Sequence, residues 1–228
     1  MKQEAKKAGL LYLMMAVFGA YGIMYANNSI LVSGDAIQTA QNLINKAGML
    51  KSSILSGLIG QTAFIFLALS LNQLFFKVDD KLNTLLMVLV IAAVPIAFII
   101  NLCLVGAFLV LDGSEYLKVF SQAQLNALSL LLLNLYNYGL IIVQVFWGLW
   151  LMPLGLLFIK ANFSPNWIGY LLIVGCFSYL LIVFIGLIIP QYNDLANSIL
   201  ILPLAIGEFS TIAWLLITGL KRESLQNN

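Results

Sequence analysis

Histidine is missing from this chain altogether, and its absence removes several chemistries at once. Haem held by histidine, zinc sites that need an imidazole, and nucleophiles activated by a Ser-His or Cys-His pair are excluded. Cysteine is almost as scarce. The two residues, Cys103 and Cys176, both sit inside apolar runs, where a thiol packs as a small hydrophobe rather than joining a disulfide or redox pair. Charge is the third shortage: only 9% of the 228 residues are Asp, Glu, Lys or Arg, against about 25% in a soluble domain. A water-soluble globule is therefore excluded. The net charge of +2 comes without any basic run that would track a phosphate backbone, so nucleic acid is not an expected partner.

Apolar runs of helical length fill the space that charge leaves, with 62% of residues hydrophobic. A membrane helix needs about 20 apolar residues, and the chain divides into six spans at about 8–26, 52–76, 84–111, 124–159, 167–189 and 198–219. The expected fold is all-α: a single polytopic transmembrane helix bundle over residues 1–228, surrounded by lipid. The run after MKQEAKK is longer than the usual core of about 7–15 residues in a signal peptide and ends on a poor cleavage site, so it reads as an uncleaved first span.

Between the first two spans, SGDAIQTAQNLINKAG keeps apolar residues at helical spacing. Asp35 with Gln38 forms a capping-box pattern, and Gly48 is a stop signal. A helix of about 12 residues cannot cross a bilayer. It is expected to lie amphipathic at the outer surface, with Ile37, Ala40 and Ile44 packed on residues 128–133 as a small cap. In the second span Ser52, Ser56 and Gly60, and beside them Ser53 and Gly57, make small-residue ridges that permit close helix approach in lipid. Pro95 is expected to kink the third span and Pro153 to bend the fourth. Ser121 with Gln124 supplies a second capping-box pattern.

Lysine and arginine set the orientation. With six spans and both termini inside, Lys2, Lys6, Lys7, Lys77, Lys81, Lys160, Lys221 and Arg222 are cytoplasmic, and Lys46, Lys51 and Lys118 lie outside. Splitting 124–160 into a hairpin would reverse that excess, which favours one long fourth helix.

The fourth span concentrates polar and aromatic residues at membrane depth. Asn134, Asn137, Gln144 and Gly148 fall within one arc of about 80° on a helical period. Lipid offers amides no partner, so this stripe is expected to face protein or a wet cavity. Trp147 and Trp150 lie too deep for an interfacial belt and either pack in the core or stack on a flat ligand. Glu208 is the one acidic residue near the middle of a span. A charge at that depth costs at least ~3 kcal/mol, so such residues face the interior and are often functional. Its candidate partners are Asn101, Asn137, Gln144, Gln61 or a tyrosine hydroxyl.

At FWGLWLMPLGLLFIKANFSP (146–165), followed by Gly169, Cys176 and Tyr179, the chain resembles a bacterial family of integral membrane proteins known as a domain of unknown function. The likeness extends over nearly the whole length. It takes in 8–13 at the start, 33–35, Phe120-Ser121, Tyr138-Gly139, and Gly207-Glu208 before Trp214-Leu215. The resemblance implies a multi-pass protein of the bacterial cytoplasmic membrane with no assigned activity.

Two classes of function follow. The first is a small-ligand or ion binding or transport bundle, with Glu208, Asn101, Asn134, Asn137, Gln144 and Trp147 as candidate ligand-binding residues. The second is a structural or regulatory membrane protein acting through a partner on its outer surface, alone or as an oligomer. No catalytic residues, metal ligands or cofactor are assigned: Glu208 lacks a second acid for paired-carboxylate chemistry, and no span places a lysine beside a serine.

Overall fold

Where lipid replaces water, a segment must satisfy its own backbone, and helices do so. The computed structural model describes residues 2–218 and shows an all-α chain, with no β-strand among the described residues. The helices are α1 (Lys2–Ala20), α2 (Asn27–Ile30), α3 (Ala36–Asn45), α4 (Ala47–Phe75), α5 (Asp80–Leu109), α6 (Gln122–Leu149), α7 (Leu151–Lys160), α8 (Asn166–Ile188) and α9 (Asn193–Ala213). π turns continue α1 over Tyr21–Ala26 and α9 over Trp214–Thr218.

Among the described residues five segments are long and apolar enough to cross a membrane: Ala47–Phe75, Asp80–Leu109, Gln122–Lys160, Asn166–Ile188 and Pro190–Ile217. The N-terminal segment is not among them. The opening turns of α1 carry Lys2, Glu4, Lys6 and Lys7, and its regular α geometry gives way to a π turn at Tyr21. The expected end of the last span at Gly219, with Lys221 and Arg222, lies outside the described residues.

One capping box forms in full and the other in half, since the Gln38 side chain donates to Asn42 Oδ1 at 3.3 Å instead of returning to Asp35. Asp35 Oδ1 accepts from the Gln38 N–H at 2.8 Å, opening α3. At the start of α6 the exchange is reciprocal: Ser121 N–H donates to Gln124 Oε1 at 2.8 Å, and Gln124 N–H to Ser121 Oγ at 3.4 Å. The long fourth helix is interrupted at Trp150 alone, between α6 and α7. Trp150 keeps helical dihedrals, its N–H donates to the Phe146 carbonyl at 3.1 Å, and its own carbonyl accepts from Leu154 at 3.3 Å. Pro153 explains the irregularity, because it offers no N–H to the carbonyl four residues earlier, at Leu149.

The helices form two compact units. One comprises residues 15–62 and 95–140. Within it the Ser53 and Ser56 hydroxyls donate to the carbonyls of Gly22 (3.0 Å) and Phe18 (2.7 Å), so the small-residue ridge of α4 is a close helix contact. On another side Ser129 Oγ donates to the Ala107 carbonyl at 2.9 Å, joining α6 to α5.

The short helix α3 does not form the expected cap through Ile37 and Ile44. Both are exposed, while Thr39, Ala40 and Leu43 are buried. The helix is held instead by polar bonds to the segment before it: Thr39 Oγ1 exchanges bonds with the Val32 backbone, Asn42 donates to the Ile30 carbonyl at 3.0 Å, and Lys46 to the Ser29 carbonyl at 2.6 Å. Unpaired carbonyls past a helix end draw these donors more strongly than two isoleucines draw a distant apolar face.

The other unit comprises residues up to 14, residues 63–94 and those from 141 onward. Phe75, Phe158, Phe163 and Trp214 form an aromatic cluster with ring centroids 5.2–6.3 Å apart. Helices α7 and α8 make a tight hairpin whose turn is tied by Ser164 Oγ donating to the Phe158 carbonyl at 2.8 Å.

At the edge of this unit Asp79 caps α5, accepting from the Leu82 N–H at 3.1 Å, and pairs with Lys160 at 2.6 Å. The Lys160 ammonium, followed by the Leu82 N–H, holds the Asp79 carboxyl below its ordinary range. A depressed value in the folded state means stability that is present above the unfolded value, about 3.9, and lost as pH falls through the folded one. Asp79→Asn is therefore expected to lower the thermal midpoint at neutral pH and to coincide with the parent chain near pH ~2. Equal midpoints at neutral pH would show that the pair contributes nothing.

Candidate functional site

A glutamate inside a span has to find its partners on neighbouring helices, and close helix approach decides which ones it meets. Glu208 lies on α9, half-buried, some 14 Å by helical rise from the end of its candidate span at Ile217. Gly207, just before it, is buried against α8: a Cβ there would lie 3.1 Å from the Leu171 carbonyl. Two turns further along α8, Gly148 of α6 meets Tyr179, where a Cβ would approach the Tyr179 Cβ to 2.7 Å. With the helices this close, Tyr179 comes within electrostatic reach of the Glu208 carboxyl.

Tyr12 of α1 completes the surroundings. Its side chain is wholly buried and its hydroxyl lies within hydrogen-bonding reach of the Glu208 carboxyl. The carboxyl is the neighbour that satisfies this buried hydroxyl, although the pair is looser than a well-formed hydrogen bond. Trp150 packs on the Tyr12 ring at 5.5 Å, and Phe64 meets Trp150 edge-on at 4.8 Å. These contacts fix Tyr12 in place. Among the described residues no ion pair includes Glu208.

The six candidate residues divide between the two units. Glu208, Gln144 and Trp147 belong to one. Gln144 is half-buried, and its Oε1 is buried without a hydrogen-bond partner. Trp147 is half-buried, whereas its neighbour Trp150 is core, 2% exposed. Asn101, Asn134 and Asn137 belong to the other unit. Asn101 donates to the Ala97 carbonyl of its own helix at 2.9 Å and fills the space beside Gly57. Asn134 is exposed, and Asn137 is half-buried and engaged. The polar stripe of the fourth helix therefore grows more enclosed along its length, from exposed Asn134 to buried Gly148.

Tyr12 and Tyr179 are neighbours of Glu208 that the residue pattern did not assign to a site. One signal pointed to Tyr12: tyrosine prefers the membrane interface, and a tyrosine within the apolar run of the first span needs a hydroxyl partner. Nothing in the order of residues brings α1 beside α9.

The acidic residues outside the spans are committed locally. Asp112 accepts from the Ser114 N–H at 2.8 Å, Glu115 pairs with Lys118 at 2.6 Å, and Asp35 caps α3. Among the described residues no three of His, Cys, Asp and Glu come together as metal ligands would.

Residues 7–219 match the family model described as a domain of unknown function, DUF4386. No curated protein and no solved structure matches the chain.

Proposed function

We propose, from the premise that the chain belongs to the DUF4386 family, a six-span protein of the bacterial cytoplasmic membrane that binds or transports a small ligand or ion at Glu208. The sixth span is the N-terminal one, running through the π turn that follows α1. Both termini are cytoplasmic, because that orientation puts the lysine and arginine excess inside. Single cysteines at Glu115 and Gln191, both exposed, in a background without Cys103 and Cys176, are expected to react with an impermeant thiol reagent added to intact cells, while one at Lys81 does not. Labelling at Lys81 would overturn the topology.

One observation carries the site: a carboxyl within a candidate membrane span, with no cation paired to it among the described residues, has the buried Tyr12 hydroxyl as its neighbour. Tyr12 bonds to the carboxyl and Tyr179 lies within its electrostatic reach, and Gln144 and Trp147 are the members of the sequence-derived set that share its unit. Asn101, bonded to its own helix, and the exposed Asn134 are not assigned to it.

A hydrophobic carbodiimide tests whether the site can be reached. The carboxyl proton passes to a carbodiimide nitrogen as the carboxylate oxygen adds to its central carbon, and acyl migration leaves a stable N-acylurea. Folded protein in sodium-free and potassium-free buffer is expected to carry this adduct at Glu208 by peptide mass spectrometry, and Glu208→Gln to carry none on that peptide. Adduct forming only after denaturation in SDS would end the binding-site reading.

The second reading, action through an outer partner, draws on the exposed apolar side chains of Ile37, Ile44, Tyr116 and Val119 outside the long helices.

A further inference from the structure

In the unit formed by residues 15–62 and 95–140, every charged side chain is engaged within the unit itself. Asp35 caps α3, Lys46 donates to the Ser29 carbonyl, and Asp112 accepts from the Ser114 N–H. Glu115 pairs with Lys118, and the Lys51 ammonium lies over the Phe108 ring, 5.1 Å from its centroid. That last contact sets the start of α4 beside the end of α5, and the Ser129 bond to Ala107 brings the start of α6 there too. Helix α3 and the 110–121 turn therefore lie at one end of this unit. Both present large apolar side chains outward: Ile37 and Ile44 from α3, and Tyr116, Phe120 and Val119 (81% exposed) from the turn. On α3 the exposed Ile37, Gln41 and Ile44 share an arc of about 60°. Thr39, Ala40, Leu43 and Leu117 are buried and hold the two segments in place.

Connectivity keeps these side chains close to the membrane surface. The turn joins Leu109 directly to Gln122, the end of one candidate span to the start of the next. Helix α3 runs into α4 with its ladder unbroken, Lys46 N–H donating to the Asn42 carbonyl at 2.8 Å and Leu50 N–H to the Lys46 carbonyl at 3.0 Å. Exposed apolar surface continues from both segments along the same candidate spans, through Leu55 of α4 and Leu102 and Leu109 of α5. Charge complementarity orients and selects a protein partner, and this end has no free charge to offer one. The lipid interface asks instead for apolar depth, with aromatic rings and uncharged polar groups at headgroup level. We infer that α3 and the 110–121 turn are an interfacial anchor. Ile37, Ile44, Val119 and Phe120 enter the boundary between headgroups and acyl chains, and Tyr116 lies with its hydroxyl among the headgroups. The inference is independent of Glu208, and it gives to lipid the side chains on which an outer protein partner would draw.

Nitroxide depth measurements test it on the full chain in phosphatidylcholine vesicles. Val119→Cys and Ile44→Cys, made without Cys103 and Cys176, are spin-labelled and saturated against oxygen, which partitions into lipid, and against a nickel chelate, which stays in water. Glu115→Cys supplies the water reference and Leu102→Cys the lipid one, both positions being exposed. The ratio of oxygen to nickel collisions at Val119 and Ile44 is expected to exceed that at Glu115 several-fold and to fall short of that at Leu102. Ratios equal to the Glu115 value would place both segments in water and overturn the anchor. Labels shielded from both reagents would also overturn it, showing a protein surface, a second copy included, over the patch. A lipid-like ratio at one position alone would remove the other segment from the anchor. All four substitutions replace exposed side chains, so the fold is expected to survive each of them.

Discussion

Gly155→Ala and Gly169→Ala are each expected to destabilise the α7–α8 hairpin by about 3 kcal/mol, the upper end of the overpacking range. A Cβ on Gly155 would lie 2.6 Å from the Gly169 carbonyl oxygen, and one on Gly169 would lie 2.5 Å from the Gly155 carbonyl oxygen. Each glycine faces the other's main chain, so no side-chain rotation relieves the contact and the two helices must separate. Separation in lipid is costly for a particular reason: helix association there depends on van der Waals contact, since lipid tails are as apolar as the helices. The pair shares one contact, so the double variant should cost well under the sum of the single ones. Thermal or SDS unfolding in mild detergent would show both effects. Midpoints for the single alanine variants equal to the parent's would mean that the hairpin is looser than these distances state.

Trp150→Ala is expected to cost about 3–5 kcal/mol, as large aromatic truncations do when the cavity cannot collapse. The ring is 2% exposed and touches both Tyr12 and Phe64. Helix geometry limits collapse, because Trp150 sits where the fourth helix is already irregular and its neighbours Leu151 and Leu154 are fully buried. Trp150→Phe should recover much of the loss by restoring a flat apolar surface. The variant also separates packing from the site: freeing the Tyr12 ring is expected to alter carbodiimide labelling of Glu208 in protein that remains folded. Unchanged stability in Trp150→Ala would show that the aromatic contacts are incidental.

The residues that carried the family resemblance look different once folded. In 146–165 and the residues after it, Trp150, Phe158, Ser164 and Gly169 bury rings, tie a turn or permit helix contact. Their spacing could be seen in the chain, but not their purpose, because a glycine that serves a crossing shows its partner only in three dimensions. The same limit applied to Glu208. Its depth in an apolar run marked it as unusual, whereas its neighbours Tyr12 and Tyr179 stand 196 and 29 positions away along the chain.

Period and composition alone determined that this protein is helical and meant for lipid, and where most long helices begin and end. Those properties depend on local matters: apolar length, caps such as Asp35 and Ser121, and breakers such as Pro153. Tertiary structure alone decided which side of α3 is buried, since carbonyls near Ile30 and Val32 outbid the apolar face of Ile37 and Ile44 for it. It also decided which tyrosine hydroxyl meets Glu208, since only packing brings Tyr12 of α1 to the carboxyl of α9. A helix fixes the direction of every side chain relative to its own axis; only packing fixes what each direction meets.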